Sequence, residues 1–282
     1  MKRSAISEWV QWVLQKMSRR ICNRLVSILK LFVPSPIHGV CNSYWMELDL
    51  GEAIQRSMYF GDYEPVQSQW VRDILKPGNT FLDVGANVGH YTTLAASLVG
   101  SKGRVVAFEP SPYAYKKLKT VLENNKIAQV NIFQCAAGDK NEYLDLYLPS
   151  EDYLHSPSLV PSNSSYIPVK VEVCRLDSHP SLVSTTIIDL MKIDVEGFEP
   201  NVLRGMQKYL QAGKVKYLLC EFNSGWLEPN GSSCDELLEM IKSMSFTIYK
   251  QTQTVTATAP SGLVYKHQDI LFKYEKPSIS VA

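Results

Sequence analysis

The run Phe81 to Tyr91, FLDVGANVGHY, constrains the fold more than any other segment, because an apolar strand there passes through Asp83 and Gly85 directly into a helix. Glycine at the end of a buried strand lets the backbone turn sharply, and a second one at Gly89 lets the next helix pack close to the sheet. Such a turn leaves open backbone for a nucleotide-type ligand. About twenty residues past Gly89 a second apolar strand, RVVAFEP, ends in Glu109, where an acid in this kind of fold takes the two hydroxyls of a ribose. Gly85, Asn87 and Gly89 do not give the G-x-G-x-x-G spacing of a pyrophosphate cradle, which disfavours NAD.

The rest of the chain repeats the pattern. Strands are predicted near 80–84, 104–109, 130–135, 188–194 and 216–222, with helices near 88–99, 111–125 and 198–211. This alternation calls for an α/β fold with a mostly parallel sheet covered on both faces. Between the third and fourth strands, LDLYLP and VKVEVCRL alternate apolar and polar residues like an antiparallel pair, a small flap. A helix near 233–244 precedes FTIYKQ and QDILFKYE, which read as a closing antiparallel hairpin. At 282 residues and 45% hydrophobic content the chain can bury one full core plus a small appendage. A net charge of +1 gives no global attraction to nucleic acid, and none is expected as a partner.

Charge is nevertheless uneven. Residues 1–46 hold seven Lys or Arg and one acid, Glu8, so the remainder is about five charges negative. Trp9, Val13, Met17, Ile21, Leu25, Ile28 and Phe32 recur at helical spacing, with Lys16, Arg19, Arg20 and Lys30 on the other side. This amphipathic helix has no apolar run long enough to span a bilayer and lacks the pattern of a secretory signal, so a cytoplasmic location is expected. Docking on the domain or on a second copy is one reading, and peripheral contact with an anionic membrane surface is the other. The oligomeric state stays open. The chain divides into a basic helix and linker over 1–46, with Pro34 to Pro36 in the linker, a main domain over 47–276, and a tail over 277–282.

Several blocks occur in a fixed order: YFGDYEP, DVGAN, AFEP, CAAGD at Cys135 to Asp139, HSPSLV at His155 to Val160, and IDLMKIDVEGFEPNVLRGM at Ile188 to Met206. Over roughly residues 58–274 the chain thereby resembles FkbM-type methyltransferases. The resemblance implies a Rossmann-like class I methyltransferase sheet whose last hairpin is antiparallel, and S-adenosylmethionine as cofactor. It further implies Asp83 near the methionine amino group and Glu109 on the ribose, with Gly85, Asn87, Gly89, Ala136 and Asp194 completing the cofactor site.

Ligands in such sheets lie at the carboxyl ends of the strands, and the sequence puts acids there: Asp83, Glu109, Asp194 with Glu196, and Glu221. Buried unpaired carboxylates are costly, so stability alone does not account for the row. A sulfonium methyl is already electrophilic. The protein must mainly align an acceptor oxygen and, for a hydroxyl, supply a general base. Asp194 is the first candidate base, with Glu196 and His155 behind it, and its structural alternative is a helix N-cap or a salt bridge to Lys192 or an arginine; Tyr63, Glu64 and Glu221 are candidates for the acceptor. Tyr59 and Phe60 join Tyr63 in an aromatic cluster that suits either an acceptor pocket or plain core.

His90 is expected to face solvent and His179 to be inert. Asp194, Glu196 and Glu221 offer oxygen ligands suited to magnesium, but nothing in their spacing demands a metal and none is assigned. The six cysteines show no paired metal or redox spacing, and Cys135, Cys174 and Cys220 are expected to be reduced and buried. The functional expectation is O-methylation of a hydroxyl on a sugar, glycan or secondary metabolite. N-methylation of an amine and a noncatalytic S-adenosylmethionine-binding subunit remain the alternatives.

Overall fold

The computed structural model describes residues 36–149, 166–258 and 264–276. The expected N-terminal helix, His155 and the 277–282 tail lie outside the described residues. The described chain begins with a hairpin, β1 (Ile37–Cys41) and β2 (Tyr44–Leu48), followed by helices α1 (Ala53–Phe60) and α2 (Pro65–Ile74). Glu52 caps α1 by accepting the Ile54 and Gln55 amides at 2.9 and 2.7 Å, and left-handed Gly61 ends it.

The alternating part follows: β3 (Thr80–Val84), α3 (His90–Val99), β4 (Arg104–Phe108), α4 (Pro112–Asn125) and β5 (Val130–Phe133). Then comes a small sheet of β6 (Ala136–Gly138), β7 (Glu142–Pro149) and β8 (Tyr166–Arg175), with α5 (Pro180–Val183) behind it. Next are β9 (Ile188–Ile193), α6 (Glu199–Gly205), α7 (Gln207–Gln211), β10 (Val215–Asn223), α8 (Ser224–Leu227) and α9 (Cys234–Ser243). The strands β11 (Phe246–Gln251), β12 (Val255–Thr258) and β13 (Val264–Tyr274) close the fold.

The main sheet runs β11-β13-β10-β9-β3-β4-β5, parallel from β10 through β5, with β13 antiparallel to both its neighbours and β12 paired to β13. Both faces are buried. Phe81, Val105, Ala107 and Leu190 pack under α2 to α4 against Trp70, Leu94 and Leu118, whereas Leu82, Val106, Met191 and Leu218 pack against Val202, Leu203 and Ile241 of α6 and α9. Residues alternate between the two clusters because side chains alternate along a strand. The flap is present as an antiparallel β7–β8 pair, with β6 added parallel to β8.

Several boundaries differ from expectation. The third strand stops at Phe133, and Ala136 starts the small sheet instead. The helix expected over 198–211 is broken at Met206, where Gly205 lies so close to β6 that a Cβ there would stand 1.9 Å from the Gly138 carbonyl oxygen. Glu221 lies inside β10, which continues to Asn223. The hairpin runs across residue 46, and Cys41, Met46 and Leu48 are buried with Met58, Tyr59, Phe60, Ala114 and Val121. Residues 37–46 therefore pack as part of the domain. Among the described residues no helix is long and apolar enough to cross a membrane.

Candidate active site

The carboxyl ends of β3, β4 and β9 open into one cavity. Its wall includes the turn Gly85 to Val88, Phe108 with Glu109, Cys135 to Ala137, Leu146, and Asp194 to Glu196. Ile54, Tyr63, His90 and Tyr91 close another side. Of the residues singled out in the sequence, the cavity brings together Gly85, Asn87, Glu109, Ala136, Asp194, Glu196 and Tyr63. Gly89 has a packing role, since a Cβ there would stand 2.4 Å from Leu118 Cδ1. Gly85, at φ +86, abuts the next strand: a Cβ would come within 1.8 Å of the Asp194 carbonyl oxygen.

Glu109 organises the turn. Its Oε2 accepts the Asn87 amide and its Oε1 the Ser111 amide, both at 2.7 Å, and Asn87 itself holds a left-handed φ of 49°. Burial pushes the Glu109 carboxyl up to about 7, although the Ser111 and Asn87 amides pull the other way. Asp83 lies behind the cavity wall, fully buried. Its Oδ2 accepts the Thr92 hydroxyl at 2.6 Å, while Oδ1 has no hydrogen-bond partner among the described residues. Burial raises its pKa, and Lys192 works against that rise.

Lys192, weighed in the sequence as a salt-bridge partner for Asp194, makes that pair and joins the two halves of the site. Its Nζ lies 2.8 Å from Asp194 Oδ2 and 4.7 Å from the centre of the Tyr91 ring. Burial favours loss of its proton, but Asp194, Asp83 and Glu64 outweigh that and hold its pKa above the ordinary value. The signal available beforehand was a lysine inside an otherwise apolar buried strand, LMKID.

Beyond Asp194 lies a group of acids. Glu64, in a left-handed conformation at φ 41°, accepts a hydrogen bond from the Tyr91 hydroxyl, and burial pushes it up to about 7 against the pull of Lys192. Glu221 pairs with His267 at 3.0 Å and keeps a buried Oε2 without a hydrogen-bond partner among the described residues; burial and then Asp194 raise its pKa well above the ordinary range. Asp269 accepts from Gln67 and lies 4.0 Å from His267. Neither Glu64 nor Glu221 lines the cavity, so both act on it at one remove.

Other expectations change. His90 lines the cavity instead of facing solvent, with Nε2 2.9 Å from Ser68 Oγ and its ring edge-on to Tyr63 and Tyr91 at 4.9 Å. Burial lowers its pKa to about 3, so the ring is neutral at physiological pH. Of the aromatic cluster only Tyr63 reaches the cavity, and Tyr59 and Phe60 are core. Glu199, also unforeseen, shapes the loop after β9: its Oε1 accepts the Val195 and Gly197 amides at 3.0 and 3.3 Å. Glu196 sits in that loop at φ 53°.

A parallel sheet closed by this antiparallel pair, with a glycine turn and carboxylates along one edge, defines the class I methyltransferase type of α/β fold. The family model described as "Methyltransferase FkbM domain" matches residues 83–248, more than half of the chain, and the protein belongs to that family of S-adenosylmethionine-dependent methyltransferases. Among curated proteins it is 24% identical to the 2-O-methyltransferase NoeI of Sinorhizobium fredii over 63% of this chain and 77% of that protein. It is 30% identical to the hexuronic acid methyltransferase AglP of Haloferax volcanii over 51% of this chain and 55% of that protein. The crystal structure of an FkbM methyltransferase from Methylobacillus flagellatus is 15% identical, covers 81% of this chain and 56% of that one, and superposes with a TM-score of 0.43.

The residues present fit the cofactor. Each Glu109 oxygen accepts one amide and so keeps a lone pair for a hydroxyl, and Val88, Phe108, Ala136, Leu146 and Phe198 offer apolar surface for a flat base. Asp194 lines the same cavity and could meet a positive amino or sulfonium group.

Proposed function

We propose that this enzyme methylates a hydroxyl group, on a sugar, glycan or secondary metabolite. The observation that carries the reading is the position of Asp194, which lines the cavity with its backbone carbonyl against the Gly85 turn while Tyr63 and His90 close the same space. Two relatives whose names specify a 2-O position and a hexuronic acid support the acceptor class.

S-adenosylmethionine supplies an electrophilic methyl group. In this reading Glu109 takes the ribose hydroxyls, and Gly85, Asn87 and Ala136 give backbone and apolar contact. Asp83, behind the turn, contributes negative charge toward the amino group. Asp194 takes the proton from the acceptor hydroxyl, and Lys192 holds that carboxylate in place through the 2.8 Å ion pair. Tyr63 contacts the acceptor, backed by Glu64 and Glu221, whose carboxyls burial shifts toward the protonated form. A neutral His90 can orient a hydroxyl but carries no charge to repel the sulfonium.

The test is transfer of labelled methyl from S-adenosylmethionine to a panel of uronic acids, neutral oligosaccharides, phenols and amines, with mass spectrometry of the products. Label recovered as a methyl ether is expected. Label on nitrogen, or tight donor binding without transfer to any acceptor in fractionated extract, overturns the reading.

A further inference from the structure

Cys135, Cys174 and His179 are scattered in the sequence but converge in the fold. The two Sγ atoms stand 2.8 Å apart, and with a His179 ring nitrogen they place three ligand atoms within 4.8 Å of one another. Cys135 directly precedes β6, Cys174 lies near the end of the neighbouring strand β8, and His179 caps α5. Both thiols are buried. Cys135 and Cys174 are free and buried, as expected, and the fold brings His179, read as inert, beside them.

The surroundings suit a metal better than they suit three independent side chains. A ligating imidazole needs a partner for its second nitrogen and a dry shell around the ring. His179 Nδ1 lies 2.7 Å from Ser181 Oγ and accepts the Ser181 amide at 3.3 Å, so these contacts fall on Nδ1 and Nε2 is the ring atom left for a ligand once the proton moves to Nδ1; the ring packs edge-on against Phe108 and Phe133 at 5.0 and 4.6 Å. Two thiolates and a divalent cation sum to zero charge, which removes the cost of burying either ion alone. Thiolate and imidazole donors select soft or borderline cations over magnesium or calcium.

We propose that Cys135, Cys174 and His179 form a binding site for one thiophilic closed-shell cation of the zinc class. On binding, each thiol gives its proton to solvent, two sulfur–metal bonds form, and the His179 Nε2 lone pair makes the third. The imidazole proton shifts from Nε2 to Nδ1, where it is donated to the Ser181 hydroxyl at the cost of the 3.3 Å bond that Nδ1 accepts from the Ser181 amide. About two protons are thus released per divalent ion. The sulfurs must open from 2.8 Å toward the roughly 3.8 Å set by ~2.3 Å metal–sulfur bonds at tetrahedral angles. Cys135 and Ala136 line the cofactor cavity, so the ion ties one cavity wall to β8 and α5. The site is separate from the proposed acceptor chemistry and does not depend on it.

The full-length protein, freed of metal and kept reduced, is titrated with Cd²⁺ while sulfur-to-cadmium charge-transfer absorption and proton release are followed, with Zn²⁺ as competitor. Saturation at one ion per chain, about two protons per ion, and loss of the band in Cys135→Ala and in Cys174→Ala are expected. His179→Gln should keep the band and weaken binding by about tenfold or more. Absence of a saturable band, or a band unchanged in both cysteine variants, overturns the proposal. Should those variants fail to fold, alkylation of the wild-type protein decides: Zn²⁺ should slow modification of Cys135 and Cys174 at least about tenfold but not that of Cys234, and no selective protection overturns the site.

Discussion

On one side of the cavity, the turn after β3 and the start of α4 are held by Glu109, each of whose oxygens meets a backbone amide at 2.7 Å. On the other side burial and the nearby Asp194 carboxylate raise the pKa values of Glu64, Glu221 and Asp269, with Lys192 as the cation among them and His267 3.0 Å from Glu221. The first arrangement is local and made largely of backbone. The second is assembled from side chains far apart in sequence, including residues 54–64 ahead of the matched family segment. A surface built on amides binds one invariant ligand well. A surface built on crowded carboxylates is open to variation and to change with pH.

The contrast predicts its largest effect at Glu109. Glu109→Ala removes the acceptor of two buried amides, each costing roughly 1–3 kcal/mol when orphaned, as well as the proposed ribose contact. Thermal stability should fall together with affinity for S-adenosylhomocysteine, the latter by at least about tenfold in calorimetric titration. A variant that binds poorly yet melts at the wild-type temperature would break the comparison, because Glu109 would then be a ligand contact without a role in holding the turn.

Asp194→Asn comes next. Asn keeps an oxygen for Lys192 and nearly the same shape, so donor affinity should change little while the saturated rate falls by about a hundredfold or more, the usual loss for a general base. Higher pH should restore part of the rate as the acceptor hydroxyl ionises unaided. Loss of donor binding with little change in saturated rate would move Asp194 to the first side of the comparison and transfer the base to Glu196 or His155.

The same division explains what could be read beforehand. The Asp83–Gly89 turn, Glu109 and the strand order are encoded by short apolar runs that end in glycine or acid, a signal confined to neighbouring residues. Lys192 and Glu199 stood inside the recognised block, but their roles depend on which strand and loop fold over them. The Cys135, Cys174 and His179 cluster depends on a parallel pairing of β6 with β8 that no sequence spacing announces. The hairpin over 37–48 and helix α1 went unread because their apolar residues face α4 only after the chain has doubled back.

The smallest effect should be on stability at Glu64, and its sign follows from burial. Glu64 is raised from an ordinary 4.5 to about 7 in the folded protein, so between those values the folded state holds a proton that the unfolded state has lost. The stabilisation is full below pH 4.5 and is lost as pH rises through about 7. Glu64→Gln can still accept from Tyr91 and never ionises, so relative to wild type it should gain about 1–3 kcal/mol between pH 5 and pH 8, at ~1.4 kcal/mol for each tenfold change in proton affinity. Denaturant melts of the two proteins at both pH values measure this difference directly. If Glu64→Gln is instead less stable than wild type by a larger margin at pH 8, then an ionised Glu64 paired with Lys192 stabilises the fold. The crowded side would in that case be a balanced ion network in which Glu64 carries its charge at neutral pH.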